Sequence, residues 1–198
     1  MTAGARLAPS AVAQQEGPDP DSFWHGVRRF PTGVTVLTTG EAAGLRGTTA
    51  SSFTFVSRRP PLISVCLTHS STFLETIRSG GEFAVNVLVH GQAALARRFA
   101  DPDRRSGHGH FAGVSHRRGA RTGAPLLCGT TAWFECRVDQ VLPAGDHDIV
   151  LARVLAAGPD PTGTAAAEED RPLVYHQGRL ITTQTTAQTT TQTQERTP

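Results

Sequence analysis

Lysine is absent from this chain of 198 residues, in which all 19 basic side chains are arginine. The absence excludes Schiff-base chemistry and a P-loop nucleotide site, because both depend on a lysine amine. The formal net charge is only +2, and the Arg-Arg pairs are scattered along the chain rather than gathered into one basic run. We therefore expect no nucleic-acid-binding surface.

Cysteines and long apolar runs are also scarce. The three cysteines, Cys66, Cys128 and Cys136, form no C-x-x-C pair and leave one thiol over in any disulfide scheme. This pattern favours a reduced, cytoplasmic protein. No apolar stretch approaches the roughly 20 residues that span a bilayer. The N-terminus has no sustained apolar core, so we expect neither a secretion signal nor a membrane partner.

The residues that are present predict a mainly β protein with short helices. Runs rich in β-branched residues predict strands over residues 33–39, 62–68, 83–88, 131–142 and 149–157, and a hairpin over 173–181. Helical spacing predicts helices over 21–30, 70–81 and 91–100, joined to the strands by a turn at 41–47 and loops at 103–123 and 156–171. Because βαβ alternation is not sustained, we expect a small antiparallel barrel with short peripheral helices.

This domain should occupy residues 21–181, between two polar segments. Residues 1–20 are expected to be a disordered lead-in, and residues 182–198 a disordered tail of mostly Thr, Gln and Ala. In the first helix, Asp21 or Ser22 should provide the cap, and Phe23, Val27 and Phe30 should share one face.

Two groups of small hydroxyl side chains are candidate anion sites. Thr48, Thr49, Ser51 and Ser52 surround Ala50 before a predicted buried strand, and hydroxyls beside open backbone N–H groups suit a phosphate. An ordinary polar strand or turn is the alternative. The second group, Ser70, Ser71 and Thr72, begins a predicted helix, where an anion can bind. Plain capping of that helix explains one of its three hydroxyls without any ligand.

Histidines suggest a third candidate and one alternative. Gly145, Asp146 and His147 form the turn between the two longest predicted strands, although a histidine in a turn is more often merely solvated. His108, His110 and His116 could suggest a metal site, but no nearby cysteine or carboxylate completes the usual ligand set. We therefore predict no metal.

The motifs, taken together and in order, resemble those of the flavin reductase family, the small reductase components of two-component flavin-dependent monooxygenases. The resemblance spans about residues 22–181 and rests on the collinear set RRFPTGVTVLTT, TTASSF, PPLISVCL, SSTFLETI, GEFAVNVL, RRFA, HFAGV, APLLCGTTAWFEC, GDHDIVLARV and PLVYHQGRL. It implies an FMN-binding split β-barrel, a Greek-key antiparallel barrel that usually forms a homodimer with flavin near the subunit interface.

The resemblance also implies roles for individual residues. By family position, the residues expected to line the flavin are Thr32, Gly33, Thr48, Thr49, Ala50, Ser51, Ser52, Ser70, Ser71, Thr72 and Asn86. Gly145, Asp146 and His147 match the motif associated with nicotinamide binding, with His147 as the residue expected to orient hydride transfer.

The activity implied by the resemblance is NAD(P)H-dependent reduction of FMN or FAD, by hydride transfer from nicotinamide C4 to flavin N5, to supply a partner monooxygenase. Such chemistry needs no protein nucleophile, since the protein provides binding and orientation. Two alternatives stay open: a flavin-binding protein without turnover, and an enzyme that uses bound flavin on its own substrate. The sequence leaves open the choices of FMN against FAD and of NADH against NADPH.

Overall fold

The computed structural model describes residues 17–40, 44–78, 81–101, 108–160 and 171–182. Several predictions lie outside these ranges: most of the lead-in and of the tail, the start of the 41–47 turn, residues 79–80 of the second predicted helix, and parts of the two loops. Within the described ranges, no helix is long and apolar enough to cross a membrane.

Twelve strands and four helices lie within the part of the chain that the structure describes. The strands are β1 (Thr32–Gly33), β2 (Thr35–Thr39), β3 (Arg46–Ala50), β4 (Thr54–Arg58), β5 (Pro61–Thr68), β6 (Glu82–Val87), β7 (His116–Arg118), β8 (Pro125–Leu127), β9 (Ala132–Ala144), β10 (His147–Pro159), β11 (Leu173–His176) and β12 (Arg179–Thr182). The helices are α1 (Pro20–Val27), α2 (Thr72–Ile77), α3 (Ala93–Ala100) and α4 (His108–Phe111). One 3-10 turn, His90–Gln92, leads into α3.

A seven-stranded antiparallel sheet, in the order β3-β2-β6-β9-β10-β5-β4, forms the body of the molecule. Register shifts in the β9–β10 pair, at Leu151/Ala152 and Val154/Ala156, bend the sheet. Just after β3, the Ser52 side chain hydrogen-bonds the backbone of Cys66 on β5, so that the two sides of the sheet meet. The predicted antiparallel barrel with short peripheral helices is confirmed.

Alternating side chains on each strand divide the barrel into an inner and an outer face. On β5, Ile63, Val65 and Leu67 are buried, whereas the residues between them are only half-buried. Asp148, Val150 and Ala152 face inward in the same way on β10. Helix α2 covers this interior with the buried side chains Phe73, Leu74 and Ile77. A second core packs α3 against β2 and the final hairpin, through Val34, Val36, Leu88, Phe99 and Leu173.

Three predictions about local structure were wrong. The polar loop expected over 103–123 contains helix α4 and strand β7, because Phe111 packs into the second core beside Phe99. Strand β4 was not expected at all. The cap of α1 is Asp19 rather than Asp21 or Ser22, since the Asp19 carboxylate accepts a hydrogen bond from the Ser22 N–H at 2.9 Å.

Candidate functional site

The hydroxyl side chains of residues 48–52 are of two kinds: some are held in hydrogen bonds within the fold, and others are free. Thr49 Oγ1 donates to the Ala96 carbonyl of α3 at 2.7 Å. Ser52 Oγ donates to the Cys66 carbonyl at 3.0 Å and accepts from the Cys66 N–H at 2.9 Å. Ser51 is exposed, and its hydroxyl makes no hydrogen bond within the described ranges. Thr48 is half-buried and likewise makes no side-chain hydrogen bond to a described residue. Of these two unpaired hydroxyls, only that of Ser51 lines the cavity described next.

A cavity of about 670 Å³ opens beside Ser51, a volume that suits a drug-sized or nucleotide ligand. Its walls come from the ends of β1 and β3, from α3 and from the β11–β12 hairpin, and its lining residues are Val34, Thr49, Ser51, Ala96, Arg97, Ala100, Tyr175, Gly178, Arg179 and Leu180. Arg97 and Arg179 make no hydrogen bond or ion pair to any described residue. The cavity thus combines apolar walls with two guanidinium groups, which suits a planar, anionic ligand.

Thr32 and Gly33 directly precede Val34, which lines this cavity, and their contact with flavin stays a prediction. Strand β1 pairs with β11, with Thr32 opposite Tyr175 and Gly33 opposite Val174. Thr32 Oγ1 is buried and has no hydrogen-bond partner among the described residues, and the space at the Gly33 α-carbon is open. An unsatisfied hydroxyl beside an open backbone is a feature that a bound polar ligand would explain.

The second hydroxyl group follows the C-terminal end of β5, at the start of α2. Ser71 is the cap, because its hydroxyl accepts from the Leu74 N–H at 3.2 Å. Ser70 and Thr72 are exposed. One hydroxyl is therefore engaged in capping, and the role of the others in phosphate binding stays a prediction.

The Gly145–Asp146–His147 turn lies against this second group. Gly145 adopts a φ of +65°, which glycine tolerates, in the two-residue connection between β9 and β10. His147 pairs with Thr68 at the end of β5, and the His69 N–H donates to the Asp146 carbonyl at 3.3 Å. His147 Nδ1 lies 2.7 Å from Asp146 Oδ1. This hydrogen bond with His147 is the main cause that lowers the pKa of the Asp146 carboxyl.

His69, Asp148 and Arg78 form a cluster that sequence analysis missed. Asp148 Oδ2 accepts from His69 Nδ1 at 2.7 Å and from Arg78 at 2.9 Å, although the Asp148 side chain is only 1% exposed. His69 Nε2 lies 2.9 Å from the Gly145 carbonyl oxygen. No spacing in the sequence connects these residues. An aspartate at a strand position that faces the core, such as Asp148, does however indicate that a cation lies nearby.

The cavity and the Gly145–His147 turn are joined by one outer face of the barrel. Ser51 lines the cavity, and Ser52 beside it hydrogen-bonds Cys66. Cys66 pairs with Ile149, and both side chains are half-buried on the outer face. His147 is two residues from Ile149 and points to the same face, about 7 Å along the strand. A ligand that extends from the cavity along β5 therefore reaches His147.

Asn86, expected at the flavin, lies instead in the core. Its side chain is fully buried and connects β2, β6 and β8 through hydrogen bonds to Val36, Pro125 and Leu127. It lines neither the cavity nor the outer face of β5. A direct contact between Asn86 and flavin thus stays a prediction from the family motif, without a geometric basis.

Neither the cysteines nor His110 adds a reactive group to the site. Cys66, Cys128 and Cys136 are free thiols. Burial raises the pKa of Cys66, and burial is the main cause that raises that of Cys136 to about 12, so both stay protonated and unreactive. His110 is buried against Phe99 at a ring separation of 4.3 Å. The described residues contain no group of three metal-binding side chains.

Comparison with known proteins identifies a matching family and relatives. Residues 27–184 match the family model described as flavin reductase like domain. The chain is 45% identical over 141 residues to a probable flavin reductase of Rhizobium meliloti (strain 1021), covering 70% of this chain but only 43% of that protein. It is 37% identical over 153 residues to an NADH:FMN oxidoreductase of Rhodococcus qingshengii, covering 77% and 76% of the two chains.

Two solved structures have the same fold. One is the NADH:FAD oxidoreductase of Streptomyces globisporus C-1027 in complex with NAD and FAD fragments, with a TM-score of 0.75 and 33% identity over 89% of this chain and 100% of that one. The other is the flavin reductase component of a bacterial two-component tryptophan halogenase, with a TM-score of 0.72 and 38% identity over 82% and 97%. The predicted split-barrel fold is confirmed.

Proposed function

The chain belongs to the flavin reductase like domain family, and from that membership we infer that it is an NADH:flavin oxidoreductase that supplies reduced FMN or FAD to a separate flavin-dependent monooxygenase. Relatives that are named NADH:FMN and NADH:FAD oxidoreductases, and a relative that serves a two-component halogenase, support this function. Flavin and nicotinamide supply the hydride acceptor and donor, and the protein binds and orients them. The free thiols support a cytoplasmic location.

The observation that carries this function is the series of neighbouring residues that leads from the cavity to His147. Hydride transfer requires donor and acceptor atoms about 3–3.5 Å apart, so the two nucleotide sites must adjoin. Ser51 lines the cavity and His147 lies at the turn, with Ser52, Cys66 and Ile149 as the residues between them. Arg97 and Arg179 provide positive charge at the far wall of the cavity, where an anionic part of the flavin would bind.

The test is anaerobic flavin reduction. Purified protein is mixed with NADH and an excess of FMN or FAD, and flavin bleaching and loss of the nicotinamide absorbance are followed together; NADPH replaces NADH in a second series. We expect many flavins reduced per subunit, with NADH preferred. Reduction that stops after one flavin per subunit would contradict reductase turnover and favour a flavin-binding protein. Tight flavin binding without NADH oxidation would do the same.

Ser51 and Ser52 should respond differently to alanine substitution. Ser51→Ala should weaken flavin binding by about 1.5 kcal/mol, roughly ten-fold in Kd, and leave the unfolding midpoint unchanged, because this free hydroxyl lines the cavity. Ser52→Ala should instead lower the free energy of unfolding by about 1–3 kcal/mol, because it removes both hydrogen bonds to Cys66. Flavin titration and urea unfolding of the two variants check this. Equal flavin affinity in Ser51→Ala and the wild type would remove Ser51 from the site.

We further propose a homodimer, on the basis of apolar side chains that the single chain leaves exposed. Trp24 and Phe30, in and just after α1, are 56% and 73% exposed, and Phe55 on the edge strand β4 is 65% exposed. Exposed apolar patches of this kind mark interaction surfaces, and the edge strand offers unpaired backbone groups beside one of them. By family resemblance, the second subunit would complete the flavin site.

The double variant Trp24→Glu/Phe30→Glu should convert the dimer into a monomer, because it places two like charges in each copy of the proposed interface. Sedimentation at micromolar concentration checks the mass, and Gln140→Glu, at an exposed position of β9, is the matched control. A wild-type protein that sediments as a monomer and still binds flavin tightly would contradict the proposed assembly.

A further inference from the structure

We propose that His69 is a positioning residue for the nicotinamide: as an imidazolium it holds the Gly145–His147 turn against Asp148 and makes the use of NADH dependent on pH. The inference rests on the proposed role of this turn in binding nicotinamide. His69 immediately follows β5 and contacts the turn on both sides of His147, at Gly145 and at Asp148. Its own N–H also donates to the Asp146 carbonyl. The position of His147 is thereby fixed to the end of β5.

The two ring contacts require both ring nitrogens of His69 to carry protons. The Gly145 carbonyl oxygen, 2.9 Å from Nε2, can only accept a hydrogen bond. The Asp148 carboxylate, 2.7 Å from Nδ1, is likewise an acceptor when ionised. A neutral imidazole has one N–H and could satisfy one of the two. Both contacts together therefore select the imidazolium.

The charges around His69 favour that state. Asp148 faces it from β10, Asp146 from the turn and Arg78 from the end of α2, while His147 pairs with Asp146. The hydrogen bond with Asp148 is the main cause that raises the pKa of His69 above its ordinary value of 6.5, followed by that with Gly145, and the Arg78 charge acts in the opposite sense. The imidazolium is lost as the pH rises through this raised pKa, and one of the two contacts is lost with it.

Arg78 allows the fold to survive that loss. Its guanidinium donates to the same Asp148 oxygen at 2.9 Å, so the buried carboxylate keeps a cationic partner when His69 is neutral or replaced. The expected consequence is local: the turn that carries His147 loses its attachment, while the barrel stays folded. A purely structural histidine would instead change stability and leave the nicotinamide kinetics unaffected.

Steady-state kinetics of the full-length protein against pH test the proposal, with saturating flavin and KM for NADH and kcat determined separately. In the wild type, KM should rise by about five-fold between roughly pH 6 and pH 9, with kcat constant within about two-fold, because the turn loses one hydrogen bond of typical net strength. His69→Gln, which cannot titrate, should show a raised KM that is independent of pH. His116→Gln, at an exposed position of β7, should behave as the wild type.

Two further measurements separate loss of the positioning contact from loss of the fold. Urea unfolding shows whether His69→Gln is folded, and if it is not, His69→Asn replaces it. Ring ¹⁵N chemical shifts of the wild type show whether His69 is doubly protonated near neutral pH, as we expect. A wild-type KM profile that persists in the folded His69 variant, or a singly protonated ring at neutral pH, would overturn the inference while leaving the proposed reductase function intact. A wild type that does not oxidise NADH at any pH would overturn both.

Discussion

Replacement of Asn86 by alanine should lower the free energy of unfolding by about 2–4 kcal/mol, without a selective loss of flavin affinity in the folded protein. The family motif places this residue at the flavin, but the structure places it in a fully buried network. Its Nδ2 donates to the Val36 carbonyl at 3.1 Å and approaches Thr38 Oγ1 and the Pro125 carbonyl at 3.3 and 3.4 Å. Its Oδ1 accepts from the Leu127 N–H at 2.8 Å.

The large expected cost follows from the partners that alanine would leave behind. The Leu127 N–H and the Pro125 carbonyl belong to β8, which pairs with β7 and is not part of the seven-stranded sheet. The Asn86 side chain links β8 to β2 and β6 of that sheet. Each buried polar group that loses its partner costs about 1–3 kcal/mol. The Pro125 carbonyl, however, still accepts a hydrogen bond of 2.7 Å from Thr38 Oγ1. The loss is therefore partial, and the protein should stay folded at room temperature.

Urea unfolding combined with flavin titration below the unfolding transition checks this prediction. Thr130→Ser is a suitable control, because it keeps the hydroxyl that donates to Leu127 in the same buried region at 3.1 Å. An Asn86→Ala protein with wild-type stability and much weaker flavin binding would show that the family role holds and that the core network matters little.

The strands and hairpins could be predicted because their signals are local. The two long runs joined by Gly145 appear as β9 and β10, and Gln177 and Gly178, with φ values of +51° and +77°, form the predicted turn of the last hairpin. By contrast, β4 carries exposed Phe55 and Val56, so it lacks the alternation by which a half-buried strand is recognised. Its pairing with β5, and not its own pattern, makes it a strand.

Which hydroxyls are free could not be predicted from the motif. The segment Thr48–Ser52 has four hydroxyl groups in five residues, and chemistry alone treats them alike. Thr49 bonds a carbonyl 47 residues away, and Ser52 bonds a backbone 14 residues away. These partners come close only when the barrel closes and α3 packs against it. The cavity itself also depends on the β11–β12 hairpin, which lies more than a hundred residues further along the chain.

Replacement of His147 by alanine should lower kcat/KM for NADH by at least about ten-fold, equivalent to about 1.4 kcal/mol of lost transition-state stabilisation, and leave flavin affinity unchanged. The hydrogen bond with His147 lowers the pKa of Asp146, so this carboxylate is ionised at neutral pH and accepts from His147 Nδ1 at 2.7 Å. In the neutral imidazole, Nε2 is then an acceptor. It lies on the outer face, where the N–H of a nicotinamide carboxamide could donate to it.

The His147 side chain is 37% exposed, so a merely solvated turn residue is the competing explanation. Variants at His147 and Asp146 distinguish the two. His147→Gln keeps an amide near the position of Nε2 and should recover part of kcat/KM. Asp146→Asn removes the charge that selects the tautomer, and it should have an intermediate effect. Flavin titration serves as the internal control, because His147 lies at the nicotinamide end of the surface, away from the cavity lined by Ser51. Wild-type kinetics in folded His147→Ala would mean that the nicotinamide is oriented by other groups, and that the turn is simply a hairpin connection between β9 and β10.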